Sequence, residues 1–218
     1  MSSREDILGR VRSNLGRTDR NGPSGREALD AYLKARPQGP RPRFDGDPVA
    51  RFRLKSEQLS STVEEVSAAD QVPQAVSRYL AAHRLPTHAV CWPALAGLPW
   101  GPSGVQVAAR PATGSDLVGI TGCFCALAET GTLMLCSGPD TPAATSLLPE
   151  THIAVVPARR IMVGMEDAWN LARSELGELP RAVNFISGPS RTGDIEQTIV
   201  LGAHGPYRVH IVIVRGEY

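Results

Sequence analysis

The sequence predicts an α/β fold in which a mostly parallel sheet is flanked by helices. Seven short apolar runs alternate with stretches of helical spacing, and continuous apolar strands of this kind are typical of a parallel sheet that is covered on both faces. Turn-forming residues separate the runs, with 21 Gly and 18 Pro in 218 residues. The chain is 42% hydrophobic and 21% charged, which is ordinary for a globular protein and excludes a disordered or collagen-like chain.

The predicted strands are short, rich in β-branched and other apolar residues, and bounded by Gly, Pro or charged residues. They are 89–92, 105–107, 117–120, 132–135, 153–156, 182–186 and 209–214.

Helical spacing predicts three helices in the body of the chain. Apolar residues recur every three or four positions over 48–66, a proline stands in the first turn of 73–83, and 165–176 separates two predicted strands. The body is therefore predicted to form one domain over residues 48–218.

Residues 1–47 are predicted to form a basic N-terminal arm, in which a helix is followed by a connection rich in Pro, Gly and Arg. Residues 1–43 hold ten Lys and Arg against five Asp and Glu, whereas the remainder holds 13 against 17. Four apolar residues between Ile7 and Leu15 share one helical face, which favours docking of this helix on the body or on a neighbouring subunit. RNA binding is the weaker alternative, because aromatic residues do not interleave the basic ones.

Several classes of protein are excluded by composition. No apolar run approaches the roughly 20 residues that span a bilayer, and the charged N-terminal residues lack the apolar segment of a secretory signal. Four cysteines are too few for a disulfide scaffold, so the sequence predicts a cytoplasmic protein. A net charge of +1 gives no general argument for nucleic acid as a partner.

The chain shows no motif for a metal or a cofactor. It lacks a paired CxxC, an HExxH, a Walker A loop and a GxGxxG fingerprint. The cysteines, Cys91, Cys123, Cys125 and Cys136, are too scattered for an iron–sulfur cluster and are predicted to be buried structural thiols. We therefore expect no metal and no cofactor bound by this chain.

Glu129, in the segment Ala128-Glu-Thr-Gly-Thr132, is the candidate catalytic residue. A carboxylate at a strand edge beside hydroxyls can accept hydrogen bonds, act as a base or attack an acyl carbon. The alternative is that Glu129 caps neighbouring backbone N–H groups and holds the turn. The predicted ligand contacts in the longer stretch from Gly119 to Thr132 are Thr121, Thr130 and Gly131. A second segment carries His152, which is predicted to be a hydrogen-bonded structural residue rather than an acid, a base or a metal ligand.

The loop that follows the 182–186 strand is the strongest candidate for ligand binding, because α/β sheets bind ligands beyond the carboxyl ends of their strands. Its glycines permit close backbone approach, its hydroxyls donate hydrogen bonds, and the planar fork of Arg191 suits a carboxylate or phosphate. Asp194 and Glu196 are expected to orient Arg191 or to cap the following turn. The alternative is a tight capped turn with no ligand. The predicted contacts are Ser187, Gly188, Ser190, Arg191 and Thr192.

Four strings together resemble the LUD-domain family. They are Val118-Gly-Ile-Thr-Gly followed by Ala128-Glu-Thr-Gly-Thr-Leu, then Leu148-Pro-Glu-Thr-His, Ile186-Ser-Gly-Pro-Ser-Arg-Thr-Gly-Asp-Ile-Glu-Gln-Thr and Leu201-Gly-Ala-His-Gly-Pro. The third string is long and specific, and the resemblance runs from about residue 48 to residue 218. It implies a fold similar to the NagB/RpiA/CoA-transferase group.

The resemblance also implies a role beside iron–sulfur partner proteins in the oxidation of L-lactate to pyruvate. Because this chain lacks the cysteine sets of such partners, we expect an accessory or substrate-handling subunit that carries no electrons itself. Loop 187–192 would bind a small carboxylate or phosphate-bearing ligand, with Glu129 and Thr130 facing it. The alternative is an autonomous small-molecule enzyme, similar to a CoA-transferase, that uses Glu129 as its nucleophile. A basic RNA-binding arm on an inert body is the third and weakest hypothesis.

Overall fold

A computed structural model describes residues 3–16, 23–193 and 200–216. The chain divides into two units, Met1–Arg43 and Phe44–Tyr218. The first unit contains helices α1 (Ser3–Asn14) and α2 (Pro23–Ala35). Apolar side chains on both helices are exposed, with Ile7 and Leu29 each more than half accessible.

The second unit holds the other helices and all strands of the described chain. The helices are α3 (Pro48–Gln58), α4 (Val72–Ala82), α5 (Pro93–Ala96), α6 (Ala144–Leu147) and α7 (Met165–Leu176). The strands are β1 (Thr62–Val66), β2 (His88–Cys91), β3 (Gln106–Ala109), β4 (Val118–Thr121), β5 (Cys125–Leu127), β6 (Thr132–Cys136), β7 (Thr151–Pro157), β8 (Ile161–Met162), β9 (Val183–Ile186), β10 (Arg191–Thr192), β11 (Val200–Leu201) and β12 (Arg208–Val214).

The main sheet has six parallel strands in the order β1-β12-β7-β4-β2-β3. Strand β12 lies between β1, where His210 pairs with Thr62, and β7, where Val209 pairs with His152. Every residue of β7 is buried. The predicted α/β fold with a mostly parallel sheet is confirmed, because these central strands are the continuous apolar runs of the sequence.

A second sheet has four strands in the order β8-β5-β6-β9. Strand β6 is antiparallel to both of its neighbours, and β5 is parallel to β8. The predicted strand 182–186 is present as β9, but its expected membership in the parallel sheet is wrong. An apolar run predicts that a strand is buried, but it does not predict whether the strand pairs in a parallel or an antiparallel way. The sequence alone therefore could not assign the strands to two sheets.

The two sheets form the middle of a layered body. Helices α4 and α5 cover one face of the parallel sheet, where Leu80 joins Ile153 in one apolar cluster. Helix α3 and the small sheet cover the other face, where Phe52 and Leu133 join Ala154. Helix α7 covers the outer face of the small sheet. Successive residues of β7 therefore point into different clusters, as the alternation of a strand requires.

The predicted helix 48–66 is wrong in its second half. Asp47 caps α3 by accepting a hydrogen bond from Val49 N at 2.9 Å, and the helix ends at Gln58. Ser60 then adopts a φ of +69°, and the chain continues as β1. The charged residues of this edge strand are ion-paired at the surface; Glu64, for example, pairs with Arg78. The other two predicted helices are confirmed as α4 and α7.

Within the described part of the chain, none of the helices has both the length and the apolar character needed to cross a lipid bilayer.

Candidate functional site

Loop 187–192 lies at the amino end of the parallel sheet. A Cβ atom on Gly188 would lie 2.3 Å from the carbonyl oxygen of Leu59, which precedes β1. Ser190 N donates a hydrogen bond to the carbonyl oxygen of Pro206 at 2.9 Å, and Pro206 precedes β12. The loop follows the carboxyl end of β9, as predicted, but β9 belongs to the small sheet, and the loop therefore lies at the amino end of the parallel sheet. The physical reason is the direction of β9, which runs antiparallel to β6.

A chain of hydroxyl groups joins this loop to the turn between β5 and β6. Thr130 Oγ1 donates to Thr132 Oγ1 at 2.8 Å, and Thr132 Oγ1 lies 2.7 Å from Ser187 Oγ. The structure thus brings the Glu129–Thr130 segment and the loop together, although 55 residues separate Thr132 from Ser187 in sequence.

Two glycines bring the same segments close to the end of α3. Gly131 has a φ of +67° and Gly188 a φ of +79°, which are left-handed conformations that favour glycine. A Cβ atom on Gly131 would lie 2.5 Å from Ser56 N, and Ser56 Oγ donates to the carbonyl oxygen of Gly131 at 3.3 Å. At both positions the missing side chain makes room for the protein's own backbone.

Arg191 ties the loop to the turn between α3 and β1. Its Nη2 donates to the carbonyl oxygen of Leu59 at 3.1 Å and to Ser60 Oγ at 2.6 Å, while the side chain remains exposed. Thr192 pairs with Val200 in the β10–β11 hairpin. Asp194 and Glu196, which the sequence predicts to orient Arg191, lie outside the described residues.

Glu129 is half-buried in the β5–β6 turn. Its backbone N–H donates to the carbonyl oxygen of Val163 at 3.1 Å, and Ala128 N donates to the carbonyl oxygen of Met162 at 2.8 Å. These bonds fix the backbone of the turn against β8. A half-buried carboxylate next in sequence to the exposed Thr130 can accept hydrogen bonds or a proton.

Thr121 and His152 form a buried pair between the two sheets. Thr121 Oγ1 lies 2.8 Å from His152 Nε2, and both side chains are fully buried. Burial lowers the pKa of His152 to about 4, so the imidazole is neutral near pH 7. Its Nδ1 has no hydrogen-bond partner among the described residues. This arrangement fits the structural role expected for His152. No contact in the described part of the chain joins Thr121 to loop 187–192.

A cleft of about 440 Å³ opens at the other end of the small sheet. Trp92 follows β2, and Cys123 and Phe124 follow β4, so the cleft lies at the carboxyl end of the parallel sheet. Sequence reasoning missed it because its lining comes from five separate segments and forms no motif. The available signal was Trp92 directly after β2 and Phe124 in the short connection between β4 and β5. The other lining residues are Cys136, Ser137, Gly138, Thr141, Arg160, Leu176, Glu178 and Pro180.

The cysteines are free and are only partly as predicted. Cys91 and Cys125 are buried, whereas Cys123 and Cys136 are half-buried and line the cleft. Cys136 lies on β6, which pairs with the strand β5 that holds Cys125. Burial raises the pKa of all four thiols, which keeps them protonated near pH 7. Among the described residues, no group of three or more His, Cys, Asp or Glu side chains could hold a metal ion.

Comparison with known proteins gives matches in sequence and in structure. A family model described as the LUD domain matches residues 101–214. Lactate utilization protein C of Exiguobacterium sp. is 30% identical over 98% of this chain and 96% of that protein. Lactate utilization protein C of Bacillus subtilis is 40% identical over 44% of this chain and 42% of that protein. The crystal structure of a DUF162 family protein from Deinococcus radiodurans matches with a TM-score of 0.60 and 27% identity, over 80% of this chain and 100% of that one.

Proposed function

The chain belongs to the LUD-domain family, and from that premise we propose that it serves lactate utilisation as an accessory or substrate-handling subunit. Loop 187–192 binds a small carboxylate or phosphate-bearing ligand in this proposal. The shared name of the two relatives, lactate utilization protein C, supports the process. Oxidation of L-lactate to pyruvate releases two electrons, and we assign their transfer to iron–sulfur partner proteins.

The hydroxyl chain from Thr130 to Ser187 is the observation that carries the proposal. It places three hydroxyl groups in one hydrogen-bonded row next to an exposed guanidinium on the same loop. Two of the three hydroxyl protons are used within the row, which leaves one hydroxyl proton and N–H groups of Arg191 to donate to a carboxylate or phosphate oxygen. Hydrogen bonds to such a charged acceptor are stronger than bonds between neutral groups. Arg191 holds the loop through one nitrogen, Nη2, in both of its described contacts, which orients the rest of the fork at the protein surface.

Complementation of cells that lack this chain tests the proposal. Wild type is expected to restore lactate oxidation, whereas Arg191→Ala and Glu129→Gln are each expected to leave the rate at least about tenfold lower at equal protein level. Arg191→Ala removes a charged donor to the anionic ligand, and Glu129→Gln removes the carboxylate that would accept a proton or a hydroxyl hydrogen bond from that ligand. Arg78→Ala is the matched control, because Arg78 is an exposed arginine whose ion pair with Glu64 lies on α4 and β1. Full activity of both Arg191→Ala and Glu129→Gln would contradict the ligand site and leave the loop with a structural role only.

Calorimetric titration of the purified chain identifies the ligand class. Lactate, pyruvate, phosphate and CoA are the four probes, and Arg191→Ala should weaken the one that binds by about tenfold. Binding of none of them, together with a working Arg191→Ala complex, would contradict the assignment of the loop as a ligand site.

A CoA-transferase-like activity of Glu129 is the second candidate. The half-buried carboxyl stands beside Thr130 in a turn that is fixed by the backbone bond to Val163, as a positioned nucleophile requires. The carboxylate would attack the acyl carbon of a thioester and release the CoA thiolate. Incubation with acyl-CoA, trapping with hydroxylamine or borohydride, and mass spectrometry would locate the product. Modification is expected at Glu129 and lost in Glu129→Gln, and an unmodified Glu129 under turnover conditions would end this alternative.

A further inference from the structure

The cleft at the carboxyl end of the parallel sheet lies where the connections of the sheet diverge. Strands β2 and β4 are neighbours in the sheet. From β2 the chain passes through α5 to β3, on the outer side, and from β4 it passes to β7, on the inner side. In open α/β sheets, the crevice between two such diverging connections is the preferred place for a ligand.

Aromatic side chains form two walls of this cleft. Trp92 follows β2 and donates from Nε1 to the carbonyl oxygen of Pro142 at 3.3 Å, which fixes its ring. Phe124 follows β4 and is held by a backbone bond to the carbonyl oxygen of Met134 at 2.8 Å. The volume of about 440 Å³ falls in the range of small-molecule sites. Fixed aromatic faces favour a flat ring, since a ring can stack on them without ordering flexible side chains.

Arg160 supplies a positive charge in a set orientation. It forms a two-pronged ion pair with Glu175, through Nη1 at 2.6 Å and Nη2 at 2.8 Å, and its guanidinium lies 5.0 Å from the centre of the Phe124 ring. Arg160 lines the cleft, whereas Glu175 does not. Each Nη atom carries a second N–H, so the guanidinium can bind another acceptor from the cleft side.

Because Glu175 balances the charge of Arg160, the acidic Glu178 disfavours more than one negative charge on the ligand. Glu178 lies exposed at the mouth of the cleft and repels a second anionic group. The thiols of Cys123 and Cys136 are neutral, because burial raises the pKa of each. Most of the other lining is apolar or already hydrogen-bonded; Thr141 Oγ1, for example, donates to the carbonyl oxygen of Cys136.

We propose that this cleft binds a planar aromatic carboxylate with a single negative charge, its ring against Trp92 and Phe124 and its carboxylate on Arg160. The site is separate from loop 187–192, because the two lie at opposite ends of β6, roughly 14 Å apart along the strand. A negative binding result at one site therefore does not count against the other site.

Titration of the full chain with benzoate tests the class of ligand. Benzoate is expected to bind saturably with a Kd of about 1 mM or lower, as suits a ligand of this size. Three related compounds are each expected to bind at least about tenfold more weakly: cyclohexanecarboxylate, which lacks the flat ring; benzamide, which lacks the charge; and phthalate, which carries a second carboxylate. Equal binding of all four, or no binding of benzoate at about 10 mM, would overturn the proposal.

Three variants separate recognition by Arg160 from its structural role. Arg160→Gln is expected to weaken benzoate binding at least about tenfold, whereas Arg159→Gln, which changes the exposed neighbouring arginine, should leave it unchanged. Glu175→Gln breaks the ion pair and keeps the guanidinium, so benzoate binding should remain within about threefold of wild type. If Glu175→Gln loses binding as Arg160→Gln does, Arg160 acts only through the ion pair and the assigned contact is wrong.

Discussion

Replacement of Gly188 with alanine is expected to lower the free energy of unfolding by about 3 kcal/mol or more and to abolish ligand binding at loop 187–192. The φ of +79° disfavours any side chain, and a Cβ atom would lie 2.3 Å from the carbonyl oxygen of Leu59. Because that neighbour is backbone, the loop itself must move, and with it Ser187 and Arg191. Urea denaturation of the variant measures the loss of stability. Titration with whichever of lactate, pyruvate, phosphate and CoA binds the wild type measures the loss of binding.

Gly193→Ala is the matched control, directly after the loop. Gly193 does not have a positive φ, and among the described residues a Cβ atom there would meet nothing within 4 Å. Its replacement is expected to change the free energy of unfolding by less than about 0.5 kcal/mol. If Gly188→Ala proves as mild as Gly193→Ala, the loop does not pack against the backbone of Leu59 as described.

Acidification from pH 6.5 towards pH 4 is expected to destabilise the protein steeply. Burial lowers the pKa of both His152 and His210 to about 4, from an ordinary value of 6.5. His210 is stacked on Tyr79 with ring centres 4.0 Å apart, and the nearby charge of His83 lowers its pKa further. Since the pKa of each group is lower in the folded state, the unfolded state binds more protons between these values. The stabilisation is therefore complete above pH 6.5 and is lost as the pH falls towards 4.

Each histidine is expected to contribute about 3 kcal/mol to that loss. Urea denaturation at pH values from 7 to 5 isolates the histidines, because the pKa of Asp116 and that of Glu175 are lowered by their arginine partners and these carboxyls lose their contribution only in stronger acid. His152→Gln should reduce the pH slope of the unfolding free energy by up to one proton, and exposed His204→Gln should leave it unchanged. A stability that does not vary over this range would contradict the buried, neutral state of both rings.

The central strands could be predicted because both of their faces are buried, and helices α4 and α7 because the apolar residues of each recur on one buried face. Strands β7 and β12 are covered on both faces, so each contains a continuous apolar run, residues 153–156 in β7 and residues 211–214 in β12. The edge strand β1 escaped prediction because Val63 and Val66 continue the helical spacing of α3. No Gly or Pro marks the break either, since the turn is made by Ser60 in a left-handed conformation.

The two candidate sites also differ in how far the sequence could predict them. The hydroxyl chain could be approached from the sequence, because Thr130, Thr132 and Ser187 stand in two dense polar segments. The family resemblance leads us to expect that Glu129 and Thr130 face the loop, but the residue pattern alone does not give this contact, since it depends on the antiparallel pairing of β6 with β9. The cleft depends wholly on tertiary structure: Trp92 and Arg160 lie far apart in the chain and meet only once both sheets have formed.

The position of β12 has a consequence for synthesis on the ribosome. It is the last described strand in the chain, yet it lies between β1 and β7 in the parallel sheet. Until it leaves the exit tunnel, β1 and β7 have no partner on the sides that β12 occupies, and their apolar faces and open backbone groups are exposed. We therefore expect nascent chains that stop short of residue 208 to be substrates for chaperones.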